Sequence, residues 1–237
     1  MRAALEPRLL ILCPLAREWS FLVKTFEASL HVERLHDLKI DAAYIPDWRA
    51  LLRQGGHGKT QFAVQAQYLI GQFPSVELVI CAGAAGSLTA ELYVGDVVVG
   101  TETVEHDFRL LFATRPLPRF PGHGPSIDAL RRSAQGISGF HVAFDVIASG
   151  DEDVVTSERA KAIRDQTGAA CVAWEGSGAA RAALFNGIGS LEIRAVTDAA
   201  DKEAPQRFEA YLSIAMANLA SLLRLWLEQG QNHSQTY

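Results

Sequence analysis

The chain has 237 residues, of which 49% are hydrophobic and 21% are charged, and its formal net charge is −5. This composition is that of an ordinary globular protein, and it excludes intrinsic disorder as the main state. The negative charge argues against a broad face that binds nucleic acid. We also expect no membrane span, because no apolar run has the required length, and no secretory signal at Met1–Arg8.

The three cysteines, Cys13, Cys81 and Cys171, each lie in or beside an apolar run. They share no short spacing, so we expect small buried side chains rather than zinc ligands. An odd number of cysteines also suits a reducing compartment. The sequence therefore predicts a cytoplasmic protein without a metal site.

Short apolar runs that predict strands alternate with stretches of helical periodicity along the chain. A glycine-rich bend is predicted at 83–86, and a loop at 116–125, which holds four prolines. Such alternation is typical of one α/β domain, here 1–237, with a mostly parallel sheet covered by helices on both faces. Strands are predicted near 9–13, 42–45, 50–52, 78–81, 97–105, 142–148, 170–174 and 191–196, and helices near 15–30, 62–73, 157–166, 178–184 and 208–226.

Two glycine-rich segments suggest phosphate or dinucleotide binding but lack the full motifs. The segment 55–60 ends in Gly-Lys-Thr, yet the glycine that a P-loop needs is replaced by Arg53. The segment 83–87 follows a strand without the Gly-x-Gly-x-x-Gly spacing. We therefore interpret the first as a turn that opens a helix and the second as a bend that lets a ligand approach the backbone.

Three acidic residues, Glu18, Glu175 and Asp198, directly follow predicted strands. Each could simply favour the start of a helix or a turn. Together they place three carboxylates at one end of a sheet, where ligands of such folds bind. Carboxylates in this arrangement suit the cleavage of a glycosidic bond, in which one acid protonates the leaving group and another activates water.

Several motifs in order resemble the nucleoside phosphorylase/nucleosidase superfamily, from about residue 8 to residue 228. Within it the chain is most similar to the 5′-methylthioadenosine/S-adenosylhomocysteine nucleosidases. Gly58-Lys59 before a helix and the early Glu18 also match. The motifs are 82–88 (AGAAGSL), 94–98 (VGDVV), 149–151 (SGD), 172–175 (VAWE) and 194–201 (RAVTDAAD).

This resemblance implies a three-layer α/β/α fold around a mixed, partly barrel-like central sheet. It implies a homodimer or a higher homo-oligomer, a nucleoside as the small-molecule substrate, and no cofactor. It also implies that Asp198 is the general acid that protonates N7 of a purine. Glu18, with Arg194 nearby, would position and deprotonate the attacking water, and Glu175 would bind the ribose hydroxyls.

The resemblance assigns the remaining site residues to substrate binding. Val154 would present backbone groups to the base, Trp174 would lie under the sugar, and Phe208 would line the pocket for the 5′ substituent. Gly83 and Ala84 would lie in the bend that approaches the ligand.

The chain departs from the family pattern at several of these positions. Ala84 stands where serine is frequent, Asp153 replaces an aromatic residue that stacks on adenine, and Ala173 replaces the first glutamate of a Glu-x-Glu pair. The arginine that phosphorylases carry before the bend is also missing, which favours water over phosphate as the nucleophile. A phosphate-dependent phosphorylase and a nucleoside-binding module that has lost turnover remain as alternatives.

Overall fold

The structure is a computed structural model that describes residues 5–36, 41–113 and 115–234. Residues 1–4, which belong to the segment in which we expect no secretory signal, lie outside these ranges. The strands are β1 Leu9–Cys13, β2 Glu33–Leu35, β3 Ala42–Ile45, β4 Ala50–Gln54, β5 Leu78–Ser87, β6 Val97–Glu105, β7 Arg119–Pro121, β8 Val142–Ser149, β9 Cys171–Ala173 and β10 Gly189–Asp198. The helices are α1 Ala16–Glu27, α2 Lys59–Gln72, α3 Gly124–Ala134, α4 Ser157–Thr167, α5 Gly176–Phe185 and α6 Ala204–Ser234.

All of these strands join one mixed sheet, and part of it closes on itself. β10 pairs with β6, β6 with β8, β8 with β9, β9 with β5, and β5 again with β10. The sheet continues outward from β5 through β1, β4, β3 and β2, in that order. This closed five-stranded ring confirms the barrel-like sheet that the family resemblance implies.

The prediction of a mostly parallel sheet is wrong. Among the described residues, five strand pairings are parallel and five are antiparallel. The pairs β2–β3 and β3–β4 are antiparallel neighbours in sequence, and β10 runs antiparallel to β6 where the ring closes. Element type alternates along the chain, but strand direction depends on each connection, which composition does not reveal.

The helices cover both faces of the sheet because alternate strand residues point to opposite sides. On β1, Ile11 and Cys13 pack in a core with α1, α3 and α6, whereas Leu10 and Leu12 pack in a second core with α2 and α5. α4 packs over β8. The fold is therefore the three-layer α/β/α arrangement, with the predicted burial of the cysteines on the strands.

The last helix is longer and more apolar than the sequence analysis expected. By length and composition alone, 204–230 could cross a membrane. However, Leu212, Leu219 and Leu223 on this helix are fully buried, and the helix packs against β10, α1 and β5. We therefore assign α6 to the protein core.

Two segments differ from their predicted conformations. The predicted loop at 116–125 contains β7, and its last residues begin α3, which the sequence analysis missed. Pro125 lies in the first turn of α3, where a missing backbone N–H costs no helical hydrogen bond. The predicted bend at 83–86 instead continues β5 as a strand, so its small residues serve close packing rather than a turn.

Candidate active site

A cavity of about 440 Å³ opens where the carboxyl ends of β1, β8, β9 and β10 meet the carboxyl-terminal part of β5. Glu18, Glu175 and Asp198 all line it, although they are far apart in the chain. The ring closure brings these acids together, because β5 and β10 run side by side from Leu78 to Gly86. Further residues that line the cavity include Pro14, Leu15, His57, Ala84, Ala85, Gly86, Glu152, Asp153, Val154, Trp174, Arg194, Thr197, Ala200, Phe208 and Glu209.

Glu18 projects from the first turn of α1 onto the backbone of β5. Its Oε1 accepts a hydrogen bond from the Ala84 N–H at 2.7 Å, and its Oε2 accepts one from the Leu15 N–H at 2.8 Å. The side chain is buried, and this desolvation, aided by Glu175, raises the pKa of Glu18 to about 7. The two backbone hydrogen bonds and Arg194 oppose the rise without cancelling it.

Arg194 is the cation at the base of the cavity, and it is 1% exposed. Its Nη2 contacts Glu175 Oε2 at 3.2 Å, and its Nη1 donates to the Ala84 carbonyl at 3.3 Å. Burial would lower the pKa of Arg194, but Cys81 and the surrounding glutamates outweigh it and raise that pKa. The guanidinium group therefore stays charged, and it forms ion pairs with the carboxylates of Glu175 and Glu192.

Glu175 is held from two sides at the point where β9 leads into α5. Its Oε1 accepts a hydrogen bond from the Gly58 N–H at 3.1 Å, and its Oε2 contacts Arg194. Gly58 adopts φ +84°, a conformation that favours glycine, so the turn that opens α2 presents its amide to this carboxylate. The segment 55–60 is thus a helix-opening turn, as the sequence analysis concluded.

Asp198 lies at the end of β10 and is 8% exposed. Its Oδ2 accepts a hydrogen bond from the Thr197 hydroxyl at 2.8 Å, and its Oδ1 accepts one from the Ala200 N–H at 2.9 Å. Burial raises the pKa of Asp198, with a smaller upward contribution from Asp201. Asp198 therefore stabilises the turn after β10 and also has a raised pKa. The two interpretations from the sequence, a turn-forming acid and an acid in a ligand site, are compatible.

The apolar walls of the cavity include Trp174, Val154 and Phe208. The Trp174 ring packs against the His57 ring with a centroid separation of 4.3 Å and an interplanar angle of 40°. Asp153 adds an exposed carboxylate at the position where the family pattern has an aromatic side chain. These residues surround the acids with flat apolar surface, which suits a ligand with a ring system.

Among the candidate residues, Gly83 is the one that does not line the cavity. A Cβ added at Gly83 would lie 2.7 Å from Glu18 Oε1 and 3.0 Å from Arg194 Nη1. This glycine therefore makes room for two charged side chains that line the cavity.

The sequence analysis missed His57, Thr197 and Glu192 as residues of the site. His57 lies in the glycine-rich turn that we examined only for phosphate binding. Thr197 directly precedes Asp198 in the motif 194–201, and this position was the signal that it lies in the site. Glu192 is 3% exposed and contacts Arg194; an acid two residues before Arg194 on one strand face was the signal for it.

The comparisons with known proteins agree with this geometry. The model of the phosphorylase superfamily matches residues 8–228. The chain belongs to the phosphorylase superfamily.

Three similar proteins carry the same name. The 5′-methylthioadenosine/S-adenosylhomocysteine nucleosidase of Actinobacillus succinogenes is 33% identical over 172 residues, which cover 70% of this chain and 74% of the relative. The crystal structure of the nucleosidase of that name from Neisseria meningitidis, in complex with methylthio-immucillin-A, is 29% identical with a TM-score of 0.81 and covers 93% of this chain and 98% of that one. The enzyme of Colwellia psychrerythraea, in complex with adenine, is 26% identical with a TM-score of 0.85 and covers 94% and 96%.

The raised pKa of Glu18 makes the stability of this phosphorylase-superfamily chain depend on pH. Because folding raises this pKa, the unfolded state binds fewer protons between pH 4.5 and about 7, and the Glu18 contribution to stability is lost as pH rises through that window. We expect Glu18→Gln to gain stability relative to the wild type over this window, by a few kcal/mol at most, since one pKa unit corresponds to about 1.4 kcal/mol. Urea unfolding midpoints at pH 4.5 to 8 would measure the difference.

Glu209→Gln provides a control for this measurement. Glu209 also lines the cavity, but its hydrogen bonds to Arg17 lower its pKa, so its effect belongs below pH 4.5. A Glu18→Gln stability difference that stays constant from pH 4.5 to 8 would contradict the prediction.

Proposed function

We propose that this chain is a nucleosidase that hydrolyses the N-glycosidic bond of a purine nucleoside of the methylthioadenosine/adenosylhomocysteine type. The observation that carries the proposal is the pair of buried carboxyl groups with raised pKa values, Asp198 and Glu18, in one cavity. The similarity to nucleosidases at 33% and 29% identity supports the substrate class.

Asp198 acts as the general acid in this proposal. As the bond between the sugar and the base breaks, negative charge develops on the base, and a proton from Asp198 to N7 neutralises it. The Thr197 hydroxyl and the Ala200 N–H hold the carboxyl group in place, while burial favours its protonated form. The proton donor is thus oriented before the substrate binds.

Glu18 acts as the general base for water. A pKa of about 7 lets the carboxylate accept a proton from water near neutral pH. The water oxygen attacks C1′ of the ribose, and one water proton passes to Glu18. In the complete reaction a proton leaves Asp198 and another arrives at Glu18, so the two groups exchange protonation states.

Glu175 binds the sugar, and Arg194 supports Glu175 through their ion pair. The Glu175 carboxylate lies in the cavity with its two oxygens fixed, and its negative charge also favours an oxocarbenium-like transition state. We place Trp174 under the ribose and Phe208 at the 5′ substituent. Val154 supplies backbone groups to the base, and Ala84 faces the sugar.

Arg194 also provides the reason to prefer water over phosphate. Among the described residues that line the cavity, it is the only arginine or lysine, and it already contacts Glu175 and Glu192. A phosphate dianion needs cationic or multiple donor contacts, and here it would face several carboxylates. This observation favours hydrolysis over phosphorolysis.

We further propose that the protein is cytoplasmic and that it forms a homodimer. The described cysteines are free and buried, which suits a reducing compartment. Leu111 and Phe112 are exposed in the single chain, and such neighbouring apolar side chains are typical of surfaces that another subunit covers.

The wild-type protein should release free base from methylthioadenosine without phosphate. We expect equal rates in phosphate-free buffer and in buffer with added phosphate, because Arg194, the one arginine or lysine among the described lining residues, already pairs with Glu175 and Glu192. Chromatography of the products would show free base and the free sugar. Strict dependence on phosphate, with a sugar 1-phosphate as product, would support a phosphorylase instead.

Replacement of the proposed acid, Asp198→Asn, should lower kcat on methylthioadenosine by about 10²–10⁴-fold, the usual contribution of a general acid. The matched control is a change of leaving group. A p-nitrophenyl riboside releases p-nitrophenolate, a stable anion that needs no proton to leave, so the variant should cleave this substrate at close to the wild-type rate. Equal losses on both substrates would show that Asp198 acts in some other way.

The base should bind more weakly next to Asp153 than it would next to an aromatic side chain at position 153. We expect Asp153→Phe to lower KM for methylthioadenosine by about fivefold or more, because stacking on a base contributes about 1–3 kcal/mol. Asp153→Ala removes the charge without adding a ring and should give a smaller decrease. Steady-state kinetics would measure both, and a KM that rises only in the Phe variant would refute the stacking argument.

A further inference from the structure

Besides Glu175, a further buried glutamate, Glu192, contacts the guanidinium group of Arg194. Its Oε1 accepts a hydrogen bond from Arg194 Nε at 2.8 Å, and its Oε2 accepts one from the Thr103 hydroxyl at 2.6 Å. The residue is 3% exposed and does not line the main cavity. A buried carboxylate is costly unless it is paired, so this contact calls for an explanation.

The backbone around Glu192 is shaped to admit its carboxylate. Gly176 follows Glu175 directly and begins α5, and a Cβ added at Gly176 would overlap the Glu192 carboxylate. The carboxylate therefore lies against the first turn of a ten-residue helix, whose N-terminal dipole favours a negative charge. The same tight packing links it to the backbone that carries Glu175.

Arg194 is fixed by contacts through all three of its guanidinium nitrogens. Nε donates to Glu192 at 2.8 Å, which is shorter than the 3.2 Å contact of Nη2 with Glu175 and the 3.3 Å contact of Nη1 with the Ala84 carbonyl. Because a guanidinium group is rigid and planar, fixing Nε determines where the two Nη atoms point. Ala84 in turn donates its N–H to Glu18, so the same strand residue contacts both groups.

We propose that Glu192 is a positioning residue for the hydrolysis. It holds Arg194 in the orientation that supports Glu175 and Glu18, and its negative charge offsets part of the positive charge of Arg194. This inference rests on the proposed function. Glu192 does not line the main cavity, and its direct contact with a residue that does is the one to Arg194 Nε, so we expect it to act through Arg194.

The charge balance gives this role a measurable consequence. Glu18, Glu175 and Glu192 surround one arginine, together with the thiols of Cys81, Cys13 and Cys171 on neighbouring strands. Arg194 lowers the pKa of Glu18, and Glu192 draws on the same positive charge. Without the Glu192 charge, Arg194 would stabilise ionised Glu18 more strongly and make it a weaker base.

The test compares base release by the wild type, Glu192→Gln and Glu192→Leu from pH 5 to 9. In Glu192→Gln the amide oxygen can still accept from Arg194 Nε, so we expect a kcat within about tenfold of the wild type but an acidic limb of kcat/KM moved to lower pH. In Glu192→Leu the orientation is also lost, and kcat should fall about 100-fold, the scale of a misplaced catalytic group. Far-UV circular dichroism and unfolding midpoints would establish that each variant is folded.

Asp96→Asn is the matched control, because it neutralises another buried carboxylate whose oxygens accept from the backbone N–H groups of Tyr93 and His141. This control should leave the acidic limb in place. An unmoved limb in Glu192→Gln overturns the inference even if Glu192→Leu does not fold. A wild type that releases base from no nucleoside overturns the proposed function and the inference with it, whereas an active wild type whose Glu192 variants match it overturns the inference alone.

Discussion

The site depends on one buried cation that several carboxylates share. Arg194 is almost fully enclosed, and without its charge Glu175 and Glu192 would be buried without a counter-charge. Its position follows from the register of β10 against β5, which sets Arg194 beside Gly83. Since any side chain at Gly83 would meet both Arg194 and Glu18, the small residues of β5 are a condition for packing this much charge together.

Ring closure in the sheet explains how distant parts of the chain build one cavity. Glu18 comes from the first helix, Glu175 from the turn after β9, and Asp198 from the end of β10. The parallel pairing of β10 with β5, and the closure through β6, β8 and β9, bring the ends of these strands around one hollow. Burial raises the pKa of both Asp198 and Glu18, and each carboxyl group accepts two hydrogen bonds that hold it in place.

Much of this arrangement could be predicted from the sequence. Apolar runs located the principal strands, and the rule that ligands bind beyond strand ends singled out Glu18, Glu175 and Asp198. Strand directions could not be predicted, because they depend on pairings between residues far apart. The helix α3 was missed because prolines at 116–125 suggested a loop, although proline is compatible with the first turn of a helix.

The residues that were missed share a physical reason. The sequence signal for Glu192 is only its place two residues before Arg194, since its significance comes from Arg194, Thr103 and the space above Gly176. His57 reaches the cavity only because glycines on both sides adopt positive φ angles and turn the chain toward Trp174. Both depend on three-dimensional proximity rather than on composition or periodicity.

Glu18 has a second duty, because its Oε2 accepts the Leu15 N–H at the start of α1. The group that takes a proton from water in the proposed reaction also caps the helix that carries it. Each change in its ionisation alters the strength of that cap, so chemistry at the sugar and order at the edge of the first helix are energetically coupled. Leu15 itself lines the cavity, so the backbone that Glu18 caps is also part of the cavity wall.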